Sequence, residues 1–112
     1  MIMRKNFYKT ANTRLGLMLA LLLSALGSGT AYAANPTKGS GIYAAQCATC
    51  HGATGNSVMP GAPSFANGES LMQPDTLLLS TIKAGKNAMP AYRGILSDSD
   101  ILDVIAYLRS LR

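Results

Sequence analysis

The pentapeptide Cys47-Ala48-Thr49-Cys50-His51 constrains this chain more than any other stretch of it. Two thiols three positions apart, followed at once by an imidazole, form the C-x-x-C-H signature of covalent haem attachment. The two sulfurs can each take one vinyl group of a single porphyrin, and the adjacent histidine then falls beneath the iron as its proximal ligand. These are the only two cysteines and the only histidine among 112 residues. All such groups are therefore concentrated in one site.

Other chemistries fit the pentapeptide less well. A redox C-x-x-C of the thioredoxin kind belongs beside a strand-helix-strand pattern in a cytosolic protein, and neither is indicated here. A structural zinc site needs four ligands, one more than these three residues offer. A plain disulfide is compatible with an oxidising compartment but leaves His51 without a task.

The N-terminus points to export. Residues 1–33 read as a cleaved secretory signal peptide: Arg4, Lys5, Lys9 and Arg14 precede an apolar run from Leu15 to Leu26, and small residues end in Ala31-Tyr32-Ala33. The run is shorter than the roughly 20 residues needed to span a bilayer, so no permanent membrane span is expected after cleavage. Residues 34–112 are then a single domain with a periplasmic address, where free thiols meet haem outside the cytoplasmic membrane. Cleavage removes four of the ten basic residues and none of the five acidic ones, leaving six against five, a net charge of +1. Haem propionates would bring this near neutral, so charge gives no support to a nucleic-acid partner.

A domain of this size has a core worth only a few kcal/mol by itself. Its aromatic residues are Tyr43, Phe65, Tyr92 and Tyr107, with no tryptophan. A buried porphyrin would complete that core. The apoprotein is accordingly expected to be poorly folded, and a cooperative thermal transition of haem-free protein would contradict this.

The pattern along residues 34–112 is all-α. A helix is predicted from about Gly39 to Cys47, after a flexible lead-in over 35–40. Residues 52–68 carry four glycines and two prolines and read as a loop laid along the haem. Pro74-Asp75 opens a second helix, with Leu78 and Ile82 on one stripe, Leu77 and Leu79 widening it, and Gly85 ending it. Ser97-Asp98-Ser99-Asp100 is a capping signal for the last helix, whose apolar face is Ile101, Leu102, Val104, Ile105, Leu108 and Leu111.

A histidine-ligated haem iron has a second axial position to fill. The expected ligand is Met89, in Gly85-Lys86-Asn87-Ala88-Met89-Pro90, where proline forces the methionine out of helical geometry and into a projecting loop. Met59 shares the Met-Pro dipeptide, but only eight residues separate it from His51. Met72 lies directly before a helix start.

Taken together, the chain resembles the class I c-type cytochromes over residues 39–112. The likeness runs through Gly39 and Tyr43, the haem motif with Gly52, the Met89-Pro90 loop and the closing helix with Tyr107-Leu108. It implies a cytochrome c-like fold of three main helices around one covalent haem c, in which Gly39 and Tyr43 meet Tyr107. It also implies that the Pro63 carbonyl accepts the far imidazole proton of His51, although Ala62 stands between Gly61 and Pro63 where many members read glycine-proline.

With Cys47 and Cys50 as thioethers and His51 and Met89 on iron, no position remains for substrate. The implied function is one-electron transfer between redox proteins, not enzymatic catalysis. Donors would be a reductase or dehydrogenase and acceptors an oxidase or nitrite reductase, with the carrier itself monomeric. Lys83, Lys86 and Arg93 cluster around the Met89 loop and suit an acidic docking surface. The rival readings are an open-site haem module that binds a gas or peroxide, which lacks distal acid-base groups here, and a cytochrome subunit of a larger oxidoreductase.

Overall fold

A computed structural model describes residues 31–112, and within them Tyr32–Arg112 form one compact unit. The expected signal segment lies, apart from residues 31–33, outside the described residues.

Helix α1 spans Pro36–Gln46. Asn35 caps it, its side-chain oxygen accepting from the amides of Thr37 at 3.0 Å and Lys38 at 3.1 Å, and Pro36 occupies the first turn, where no amide is needed. This corrects the flexible lead-in expected up to Ser40, because the Asn-Pro pair starts the helix three residues earlier. A single turn, α2, covers Ala48–His51. After a 3-10 turn at Phe65–Asn67 come α3, Asp75–Ala84, and α4, Asp98–Ser110. The Ser97 hydroxyl accepts from the Asp100 amide at 3.1 Å while the Asp100 carboxylate accepts from the Ser97 amide at 3.0 Å, a reciprocal capping box. Among the described residues the only β pairings are two isolated bridges, so the architecture is all-α with three main helices.

Helix α4 is the central element, packed on α1 and on α3. Against α1 it buries Tyr43, Phe65, Leu71, Val104 and Leu108, and against α3 it buries Leu78, Ile101 and Ile105. The Tyr43 and Tyr107 rings lie 5.3 Å apart. Gly39, however, makes its closest approach to the α4 backbone: a Cβ there would sit 2.0 Å from the Asp103 carbonyl oxygen. Leu77, expected to widen the apolar stripe of α3, instead faces outward and is 49% exposed. One turn of helix holds only one fully inward position on a narrow contact, and Leu78 takes it.

That close crossing also buries a charge. Asp103 is 0% exposed, accepts from the Asn35 amide at 2.7 Å and from the Tyr32 hydroxyl at 2.7 Å, and has the Lys38 ammonium 3.4 Å from its other oxygen. Tyr32 stands upstream of the expected cleavage point, so its bond belongs to the uncleaved chain. Burial acts to raise the Asp103 carboxyl, yet the Asn35 amide, Tyr32 hydroxyl and Lys38 ammonium together hold it below the usual carboxylate range. The neighbouring Asp100 is held at about 2 by Lys38 and then by Ser97. Both folded-state values lie below the ordinary 3.8, so the stability they confer is complete above that pH and is lost as pH falls towards 2. The thermal midpoint is expected to drop steeply between pH 4 and pH 2, and Asp100→Asn to start lower at pH 5 and flatten that limb.

Candidate haem site

Between the two core clusters lies an apolar cavity of about 830 Å³. Its walls bring together Cys47 from the α1–α2 junction, Cys50 within α2 and His51 at its end, and Met89 from the loop between α3 and α4, with Phe65 and Ile101 also lining it. Protein interiors are close-packed, and a void of this size in so small a domain is a ligand's place, not a packing fault.

The order of the chain explains how the motif reaches the cavity. Tyr43, 1% exposed, donates its hydroxyl proton to the Gly52 carbonyl at 2.6 Å, tying the middle of α1 to the residue after His51. Burial pushes that hydroxyl up to about 12, so it stays a neutral donor. Tyr43→Phe is expected to leave the Gly52 carbonyl short of a partner at a cost of about 1–2 kcal/mol. At roughly 4–8 °C per kcal/mol for a domain of this size, a thermal melt of the holoprotein reads it directly.

His51 is buried and stacks on Phe65, with ring centroids 4.6 Å apart and planes 25° from parallel. Its Nδ1 lies 3.1 Å from the Pro63 carbonyl oxygen. A carbonyl only accepts, so that pairing puts the proton on Nδ1 and leaves the Nε2 lone pair free as a donor to a metal. Neither cysteine is in a disulfide, and burial pushes the Cys47 thiol up to about 11, which keeps it protonated at neutral pH.

The three candidate methionines, Met59, Met72 and Met89, fare differently. Met72 is 85% exposed and stands near the Arg112 guanidinium, away from the cavity. Met59 lines the cavity, but its amide is bonded to the Cys50 carbonyl at 3.2 Å, one residue from the histidine. Met89 lines it from a tight hairpin in which Lys86 and Met89 exchange both backbone hydrogen bonds, at 3.1 and 2.9 Å. The hairpin folds against Gly85, which has a φ of +73° and whose absent Cβ would lie 2.7 Å from the Met89 carbonyl. Lys83, expected to join the cationic cluster beside this loop, is paired within the chain: its ammonium bonds Asp98 at 2.6 Å. Lys86 and Arg93 remain exposed there.

The donor set fits a haem: two adjacent thiols, an imidazole oriented by a carbonyl, a thioether and an apolar wall. Comparison with known proteins agrees. Residues 34–108 match the family model described as cytochrome C oxidase, cbb3-type, subunit III. The chain is 34% identical over 110 residues to cytochrome c6 of Thermosynechococcus vestitus, covering 95% of this chain and 91% of the relative. It is 38% identical over 104 residues to cytochrome c6 of a Synechococcus species, covering 89% and 90%. The crystal structure of cytochrome c6 from the diatom Phaeodactylum tricornutum superposes with a TM-score of 0.58 at 33% identity, over 68% of this chain and 92% of that one. The chain therefore has the cytochrome c fold and belongs to the class I c-type cytochromes, as a small electron carrier with one covalently bound haem c and not an enzyme.

Proposed function

We propose that the protein is a periplasmic one-electron carrier whose haem is attached through Cys47 and Cys50 and ligated by His51 and Met89. The observation that carries this reading is one cavity lined by all four residues. Bound there, the haem supplies a one-electron iron couple. The chain's own residues supply everything else. The Pro63 carbonyl orients the His51 imidazole, Phe65 stacks against it, and the Gly85-to-Met89 hairpin presents a soft thioether that favours the reduced state. Core residues from α3 and α4 exclude water. If His51 and Met89 both hold the iron, no position would be left for substrate, and the protein would change only its oxidation state.

Residues 1–33 serve in this reading as the signal peptide and 34–112 as the mature domain. Among the described residues no helix is long and apolar enough to cross a membrane. Partners are redox proteins, a dehydrogenase or reductase on one side and an oxidase or nitrite reductase on the other. The matched family model, described as an oxidase subunit, favours a second reading in which the domain works inside such a complex.

The test is to express the full chain with haem-attachment machinery and recover the periplasmic fraction. The expected product begins at Ala34, carries one haem per chain that acid-acetone does not extract, and is low-spin with a sulfur-to-iron charge-transfer band. A high-spin protein that binds carbon monoxide readily would replace this reading with the open-site module. Recovery solely in a membrane-bound complex would favour the subunit.

A further inference from the structure

The loop that carries Met89 is secured to its own side of the molecule by backbone bonds centred on one residue. The Tyr92 amide donates to the Ile82 carbonyl at 3.1 Å, and the Tyr92 carbonyl accepts from the amides of Ile95 and Leu96, each at 3.0 Å. Beside it the Arg93 amide donates to the Lys83 carbonyl at 3.1 Å. The bonds to the Ile82 and Lys83 carbonyls seat the loop on the last turn of α3, and those from Ile95 and Leu96 turn the chain back on itself. They do nothing to hold it against the half of the molecule that contains the attachment motif.

One contact does. The Tyr92 hydroxyl donates to the Gln46 carbonyl at 2.7 Å, bridging 46 residues of sequence. Gln46 ends α1 and immediately precedes Cys47. Among the described residues this is the only hydrogen bond between residues 85–96 and residues 35–73. The Tyr92 side chain is buried, and Gln46, Tyr92 and Met89 all line the same cavity.

We propose that Tyr92 is a positioning residue whose hydroxyl latches the Met89 loop to the attachment helix, so holding the Met89 thioether in its ligating place. The inference rests on the proposed His51/Met89 ligation and adds a determinant of how firmly the sixth position stays closed. For an outside ligand to enter, the loop must lift and this bond must break. The apparent affinity for such a ligand is its affinity for the open form multiplied by the fraction of molecules whose loop is open, so it rises as that fraction rises. A single part-buried hydrogen bond governs that fraction by about fivefold.

The test is imidazole titration of the ferric holoprotein, alongside its sulfur-to-iron band, in wild type, Met89→Ala, Tyr92→Phe and Asn35→Ala. Phenylalanine keeps the ring and removes only the hydroxyl. Asn35→Ala removes the cap at the far end of α1, about 16 Å from Gln46, and lowers global stability without touching the latch. Tyr92→Phe is expected to retain the band and bind imidazole about fivefold more tightly than wild type, while Asn35→Ala binds it as wild type does. A band in wild type with unchanged imidazole affinity in Tyr92→Phe overturns the latch and leaves the ligation standing. Equal tightening in Tyr92→Phe and Asn35→Ala also overturns it, since general destabilisation would then explain both. A wild type without the band, indistinguishable from Met89→Ala, overturns the ligation and the latch together.

Discussion

Met89→Ala holoprotein is expected to lose the sulfur-to-iron band, turn high-spin in part, and bind carbon monoxide when reduced. Its reduction potential should fall by on the order of 0.1 V, a fraction of the roughly 0.8 V over which axial ligands tune haem proteins. The direction follows from ligand softness: a thioether stabilises ferrous iron, and water or hydroxide in its place does not. Met59→Ala is the informative companion. Met59 shares the cavity wall, but its amide is tied to the Cys50 carbonyl, which keeps its backbone next to the attachment motif. Its replacement should leave band and potential as in wild type. Loss of the band in Met59→Ala and its retention in Met89→Ala would reverse the assignment.

Gly39→Ala is expected to destabilise the folded holoprotein severely. A methyl group at that position would sit 2.0 Å from the Asp103 carbonyl oxygen and 2.4 Å from its carbon, both backbone atoms of α4 with no side-chain freedom to yield. Relief requires α1 and α4 to separate, which opens the cluster around Tyr43, Val104 and Leu108 and draws the Asn35 amide away from the buried Asp103 carboxylate. The combined cost exceeds about 4 kcal/mol, against a total stability of about 5–15 kcal/mol for an ordinary domain. Gly41, two residues along the same helix, faces open space, and a Cβ there would meet nothing within 4 Å. Gly41→Ala should therefore stabilise by about 0.5–1 kcal/mol through its better helix propensity. Guanidinium unfolding of the two holoproteins, read by helix signal, separates the outcomes by sign.

Several parts of this architecture were legible in the residues because they depend on local chemistry. The spacing of Cys47, Cys50 and His51 is set by the reach of two sulfurs to one porphyrin, and no distant residue alters it. The Ser97–Asp100 capping box works the same way, since both hydrogen bonds close within four residues. Asn35-Pro36 carries an equally local signal, a cap followed by a residue suited to the first turn, and it starts α1 three residues before Gly39.

Other parts depend on which surfaces meet. Asp103 looks like any surface acid on a polar-rich helix turn. It is buried because Gly39 lets the two backbones approach and the Asn35 amide and Lys38 ammonium arrive from α1 to receive it. Lys83 reads as one of a cationic cluster, and only the fold places Asp98, fifteen residues on, 2.6 Å from it. Leu77 and Leu78 are chemically alike, and only the position of α4 decides that one is buried and the other exposed. The bond from Tyr92 to the Gln46 carbonyl has no sequence signature, because its acceptor is backbone and every residue has one.

Helical periodicities, caps and the attachment motif are thus written in the order of the residues, since each rests on interactions spanning a few positions. The pairing of charges, the choice of which leucine lies inside and the bond that holds the Met89 loop across the cavity were settled by the packing of the helices. Those contacts join groups well separated along the chain, and their energies depend on distance and solvent exclusion that no local pattern encodes.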